Sequence, residues 1–517
     1  MNKYIVFIAL LLCSLVRPPD MAGQIVDHSI LNAYVDRFNQ YDEELYKQYI
    51  PNSQAKEFLS DNIPLFECPD KNIEEIYYFR WWTFRKHLKK TPEGFIVTEF
   101  LPDVSWAGKY NGICCPAWFH FREGRWLKHS GFLKDYAYYW LKGGGAVRSY
   151  SFPVSDALYQ YYLVTGDNQL LKDLYPDLKE NYAEWKKEKF IPETGLFWQT
   201  DNRDGMEVSI GGNGFRATIN SYMTAEALTL SRIAEWKKDS QANAYKAEAK
   251  TLKSNLFTKL WDQKAEFLKV LPQEKNAQLK DVRELHGYTP WAFDLVDTKY
   301  AVAWKYLMDT NHFMAPYGLT TAEQCHPLFK VVYEGHECQW NGPSWPYATS
   351  MTLTGLANLL NNQEQSFICS RDYVTLLSVY ARSQYRRNND GTQTPWIDEN
   401  LHPFTGDWIS RTMLKQRNPS PKERGKDYNH SSFCDLVING LIGIRPQEGN
   451  RLEINPLIPE GYWDYFCLEN VPYHGRTICV LYDRTGKKYN KGVGLSVFVD
   501  GKKVISSPSL KKLSCEL

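Results

Sequence analysis

The sequence predicts a mainly α protein: a toroid of paired helices followed by a small antiparallel β module. Two observations carry that reading. From Ala157 onward apolar residues such as Leu158, Tyr162, Leu174, Leu178, Tyr182 and Trp185 recur at helical spacing, and the helical segments are joined by alternately short and long loops. Beyond Gly440-Leu-Ile-Gly-Ile-Arg-Pro446 the period changes to two, the signature of strands with one buried face. A fixed repeat of the solenoid kind is absent.

Taken in order, residues 1–23 read as a secretory signal. Lys3 precedes the apolar run Tyr4–Val16, which is too short for a membrane span, and cleavage fits near Ala22 or Gly23. Leu12 before Cys13 disfavours lipidation, so a periplasmic or extracellular location is expected. Residues 24–68 form an N-terminal segment of little chemistry. Residues 69–446 are expected to build the catalytic toroid and 447–517 the small β domain.

The run Tyr77-Tyr-Phe-Arg-Trp-Trp-Thr-Phe-Arg85 sits on a predicted helix. Adjacent helical residues lie about 100° apart, so Trp81 and Trp82 face different sides, which makes Trp82 a candidate for a cavity wall. Phe95 to Asn111 reads as a short extended piece and then a loop, with Glu99, Asp103, Trp106 and Lys109 grouped as at a sugar-binding rim. Further helices are expected at residues 219–236, 243–261, 300–308, 350–360 and 371–384. Between them lie long polar loops. His336 to Pro346 holds Trp340, Asn341 and Trp345 around a tight turn, suited to stacking on a sugar. In the β module, Asp500-Gly501 is a hairpin turn.

Two loops carry the chemistry. Thr200 to Ser209 holds Asp204 and Glu207, and Trp396 to Asp407 holds Glu399, each among turn residues and aromatics. Two opposed carboxylates in an aromatic-lined cavity suit glycosidic bond hydrolysis: one protonates the leaving oxygen and the other activates water. The 17 Trp and 34 Tyr of the 517 residues agree with sugar stacking. A net charge of +1 supplies no general attraction to nucleic acid or acidic membrane. There is no P-loop, no zincin spacing and no Cys-x-x-Cys, so neither metal nor cofactor is expected. Cys114-Cys115 and Cys325/Cys338 are candidates for a bridge or for metal ligation, with buried free thiols the simpler state.

At these motifs the chain resembles the six-hairpin glycoside hydrolases: trehalases, mannosylglycerate hydrolases and processing α-glucosidases. Arg203-Asp-Gly-Met-Glu-Val-Ser209 falls on the family's general-acid motif, Glu399-Asn-Leu-His-Pro-Phe-Thr-Gly406 on its general-base motif, and Trp340-Asn-Gly-Pro-Ser-Trp345 on its substrate loop. The resemblance covers roughly residues 75–446 and implies an (α/α)6 barrel with Glu207 as acid and Glu399 as base. Glu stands where the family has Asp, which leaves Asp204 as a second candidate for the acid, and Asn341 stands where it has Arg. The expected activity is inverting, exo-acting hydrolysis of an α-linkage in an oligo- or polysaccharide. Trp82, Trp106, Asp204, Trp340, Asn341 and Trp345 are expected at the sugar. A polysaccharide lyase or sugar epimerase using His286, His336 or His430, and a non-catalytic glycan-binding protein, are the alternatives.

Overall fold

Burial separates two kinds of helix in the ring. The computed structural model describes residues 24–418 and 423–517, so the leader expected at residues 1–23 lies outside the described residues. In chain order the helices are α1 (His28–Gln40), α2 (Ala55–Asn62), α3 (Lys71–Lys86), α4 (Ala117–Gly124), α5 (Phe132–Leu141), α6 (Val154–Thr165) and α7 (Gln169–Asp173). There follow α8 (Tyr175–Lys189), α9 (Ala217–Lys237), α10 (Ala242–Leu260), α11 (Thr289–Ala292), α12 (Pro346–Asn362), α13 (Ser370–Ser383) and α14 (Ile409–Arg417). Outer helices are amphipathic: α8 buries Tyr175, Leu178, Tyr182 and Trp185, and α10 buries Leu252, Leu256 and Leu260, one stripe each. Inner helices are buried nearly all round, as in α4, whose every residue from Ala117 to Gly124 is covered. The segment expected to be helical at 300–308 is a 3-10 run, Thr298–Tyr306.

Polar contacts stitch each inner helix to the next. Trp118 of α4 donates to Asp156 of α6 at 2.7 Å. Glu226 of α9 accepts from the backbone N–H and hydroxyl of Ser155 at 2.6 and 2.8 Å, capping the start of α6 from a neighbouring helix. Tyr222 of α9 meets Tyr347 of α12 at 3.1 Å, and Asn358 of α12 donates to the Trp291 carbonyl of α11 at 2.9 Å. The ring then closes across 312 residues of sequence. Glu123 of α4 accepts the backbone N–H groups of Phe433, Cys434 and Asp435 at 2.8–3.0 Å. Asp435 in turn accepts from Arg122, Arg125 and Trp126. The last inner helix continues as a π-helical turn, Leu436–Leu441. Gly440 is required there, because a Cβ would lie 1.8 Å from the Tyr373 hydroxyl.

The C-terminal module is antiparallel. Its larger sheet runs Leu65–Glu67, Tyr465–Tyr473, Arg476–Asp483, Gly494–Val499, Lys502–Ser507, in that spatial order. Asp500 and Gly501 both have positive φ, 48° and 77°, so the expected tight turn joins the last two strands. The edge strand Leu65–Glu67 comes from the N-terminal segment and pairs Leu65 with Glu469. Three residues are too short to show a period of two, so the sequence carries no signal for that strand. All ten described cysteines are free thiols, and the bridges considered for Cys114/Cys115 and Cys325/Cys338 are not formed. Among the described residues, no helix is long and apolar enough to cross a membrane.

Asp435 is the anion of the ring closure. Burial alone would raise its pKa, yet Arg122 and Arg125 hold it down at about 2. A depressed carboxylate stabilises the fold above its unfolded pKa of about 3.9 and loses that contribution as pH falls toward 2. Asp435→Ala strands two buried guanidinium groups and should cost about 3–5 kcal/mol. The check is chemical denaturation at pH 7, with the gap between variant and wild type narrowing on acidification.

Candidate active site

One cavity of about 220 Å³ opens among the loops that lead into the inner helices. Cys115 precedes α4, Tyr150 precedes α6, Trp345 caps α12, and Tyr428 and His430 lead into the closing helix. Glu207, in the loop before α9, and Glu399 both line it.

Glu207 is carried by a constrained turn. Asp204 anchors the turn from below, accepting from Ser151 at 2.6 Å, from Arg216 at 2.7 Å and from Thr218. Gly205 is left-handed (φ 70°), and a Cβ there would sit 2.5 Å from the Cys115 sulfur. Trp340 donates its backbone N–H to the Glu207 carbonyl at 3.0 Å. The Glu207 side chain itself has no hydrogen-bond partner among the described residues. Burial, helped by the charge of Glu399, pushes its pKa up to about 7.

Glu399 is held in the opposite way. Arg424 donates to one carboxylate oxygen at 2.5 and 3.1 Å, and the Cys338 thiol and Ser410 hydroxyl donate to the other at 3.0 and 3.2 Å. Such a set of donors suits an anion. Arg424 also pairs with Glu337 at 3.1 Å. Against the effect of burial, Arg417 and Arg424 hold Glu337 down at about 2. A further acid, Glu99, faces the cavity and accepts from the Tyr428 hydroxyl. Burial, reinforced by Glu399 and Glu207 and offset by Tyr428, pushes it up to about 8.

This geometry separates a proton-holding carboxyl from an ion-paired one across a single small cavity. Residues 109–431 match the family described as mannosylglycerate hydrolase MGH1-like glycoside hydrolase domain. The chain belongs to this MGH1-like family. As a member of that family the chain carries a glycoside hydrolase domain. Residues 444–506 match the C-terminal domain of glycosyl hydrolase family 65. A solved structure described as "Sialidase" is 41% identical with a TM-score of 0.89, covering 95% of this chain but 45% of that one. The chain thus spans less than half of that relative. An α-L-rhamnosidase from Dictyoglumus thermophilum is 14% identical at a TM-score of 0.51, covering 87% of this chain and 45% of that one. The mannosylglycerate hydrolase from Thermus thermophilus in complex with glucose is 12% identical at 0.49, with 70% and 98% covered. The helical toroid expected from the sequence is the fold that this chain shares with the first two of these structures.

The structure brings together Glu207, Glu399, Trp106 and Trp345 on the cavity wall and leaves four expected residues outside it. Trp82 lines a separate cavity of about 20 Å³ and not this one: its Nε1 donates to Asn39 of α1 at 2.8 Å, and Lys86 lies 4.2 Å above its ring. Asp204 is corrected likewise, being buried and committed to Ser151, Arg216 and Thr218. Trp340 stacks behind Trp345 at 4.7 Å, so it backs the wall instead of forming it. Asn341 does not line the cavity, and its carbonyl accepts from Lys330. The sequence reading missed Arg424 and Tyr428. The signal available was their place in the polar stretch Arg424–His430, just ahead of the apolar closing helix. Among the described residues, His312, Glu323 and Cys325 are the group able to hold a metal ion, and none of them lines the cavity.

Beside Glu207, Val208 is held at φ 62° with its side chain 45% exposed. A β-branched residue pays for that left-handed backbone without burial in return. Val208→Asn is expected to raise stability by about 1 kcal/mol. Thermal unfolding checks this, and a lowered melting temperature counts against a strained turn.

Proposed function

We propose that this protein is an exported, exo-acting, inverting glycoside hydrolase, with Glu207 as general acid and Glu399 as general base. One observation carries the reading: the two side chains line one cavity in opposite electrostatic settings. Glu207, unpaired and holding its proton up to about pH 7, is equipped to protonate a departing glycosidic oxygen. Glu399, aimed by Arg424, Cys338 and Ser410, is equipped to take a proton from water. The supporting argument for exo action is size, since about 220 Å³ lies below the roughly 300–1,000 Å³ of pockets that enclose drug-sized ligands. One sugar ring fits such a space better than a polysaccharide chain. Trp106, 48% exposed and 5.3 Å from the Arg424 guanidinium, stands at the rim where the next residue of the substrate leaves. Export rests on the basic and apolar start of the chain.

Glu207→Gln and Glu399→Gln should each lower kcat by orders of magnitude without lowering the melting temperature. The rate is expected to fall as pH rises through about 7, where Glu207 loses its proton. Following the first-formed anomer by NMR on a hydrolysed glycoside tests inversion, for which the carboxyl groups should stand roughly 6.5–9.5 Å apart. Product retaining the substrate's configuration removes the inverting mechanism, and full activity in either variant removes that residue from it.

A further inference from the structure

His312, Glu323 and Cys325 bring three different donor atoms to one point outside the cavity. His312 Nδ1 lies 3.0 Å from Glu323 Oε2, and the Cys325 sulfur lies 3.9 Å from the first and 3.8 Å from the second. Zinc binds nitrogen and oxygen at about 2.0–2.2 Å and thiolate sulfur at about 2.3 Å, in a tetrahedron. Its ligand atoms then stand about 3.4 Å apart along the N–O edge and about 3.6 Å apart along each edge to sulfur. Every edge of the triangle found here is within about 0.4 Å of the one zinc sets.

The backbone fixes that triangle before any ion arrives. Gln324 donates its N–H to the His312 carbonyl and Cys325 donates to the Asn311 carbonyl, both at 2.9 Å. The two segments that carry the donor atoms are thus clamped side by side. The His312 ring packs edge-on against Tyr306, with centroids 4.8 Å apart. Glu323 is buried, and the backbone N–H and guanidinium of Arg283 hold its two oxygens at 2.8 Å each. A carboxylate oxygen has two lone pairs, so Oε2 can keep Arg283 and give the other pair to a metal in place of the His312 N–H. With Nδ1 on the metal the ring proton sits on Nε2, where the Asp309 carboxylate stands 3.9 Å away. The Cys325 thiolate and Glu323 together balance the charge of zinc, and Asp309 offsets that of Arg283. Sulfur and imidazole beside one carboxylate favour zinc over calcium or magnesium, which take oxygen ligands.

We propose that His312, Glu323 and Cys325 form a zinc site that braces the loop behind the cavity wall, with water as the fourth ligand. Cys325 is exposed, which leaves that fourth position open to solvent. On binding, the thiol gives its proton to solvent and its sulfur lone pair to the ion, and nothing is oxidised or reduced. The brace acts through Thr320–Ala322, which lies between the ligands in the chain. Thr320 bridges to Ser344, and the N–H and hydroxyl of Thr321 both donate to the Pro343 carbonyl, at 3.3 and 2.9 Å. The Thr321 hydroxyl also accepts the Gly342 N–H at 3.2 Å. Next along that loop Trp345 lines the cavity. The sequence reading set Cys325 beside Cys338, whereas the fold gives it His312 and Glu323 and turns Cys338 to Glu399.

The test uses the full chain, kept reduced and stripped of metal with a chelator, then titrated with zinc by calorimetry. One zinc per chain should bind with a Kd of about 1 µM or tighter, and zinc should raise the melting temperature. Cys325→Ser and His312→Ala should each weaken binding about 100-fold or more and remove the zinc-dependent rise. Cys369→Ser, which alters another exposed thiol, should do neither. Cobalt in place of zinc supplies a spectroscopic readout: a sulfur-to-cobalt absorption band should form in the wild type and be missing in Cys325→Ser. Cys325 is exposed, so Cys325→Ser keeps the test decisive even if His312→Ala does not fold. No zinc binding, or binding undiminished in Cys325→Ser, overturns the proposal. A cobalt band lost in Cys338→Ser but kept in Cys325→Ser puts the ion in the cavity and overturns it too. Zinc bound at these residues without a rise in melting temperature overturns the brace.

Discussion

The ring depends on the contact that closes it. Glu123 caps the helix starting near Phe433, and Asp435 of that helix receives Arg122, Arg125 and Trp126 in return. These groups are buried, so each charge has to be met by its partner or the cost of removing it from water is not recovered. Exchange in both directions between α4 and the last inner helix specifies one angular position for the end of the chain. That position decides what faces what. Arg424, Tyr428 and His430 enter the closing helix just before the contact, and so they arrive opposite Glu99, Cys115 and Glu207.

With the ring closed, the cavity divides labour by desolvation and pairing. Glu399 and Glu337 share Arg424, and Arg417 adds a second guanidinium to Glu337. Among the described residues Glu99 and Glu207 have no cation in direct contact, and burial drives both toward the neutral acid. Four carboxyls in so small a space cannot all be ionised. The arginines determine which of them carry the charge. Side chains of one chemical type thereby take opposite charge states within one pocket.

Much of this was legible in the chain itself. The stripes of α8 and α10 follow from spacing alone, since an outer helix must bury one face and wet the other. Inner helices are harder to bound, because residues buried all round carry little periodicity. Glu207, Glu399, Trp106 and Trp345 stood out because each sits in a loop rich in turn residues or aromatics. Trp82 misled for a related reason: an aromatic run on a helix looks the same whether it faces a sugar or the α1 helix that covers it. Asp204 and Asn341 lie next to residues that do face the cavity or back it, and adjacency in a turn does not say which side chain points inward.

The amino-acid order by itself determined the helical class, the change to strands after Pro446 and the two loops that carry the acids, because period and turn chemistry act over neighbouring residues. Tertiary structure alone decided which acids keep protons, which cation serves them, and that His430 is buried with no hydrogen-bond partner among the described residues. Those properties arise from dielectric surroundings and from contacts between residues far apart in the chain, such as Glu99 with Tyr428 and Glu337 with Arg424. Burial and charge pairing are collective, and no local stretch of sequence contains them.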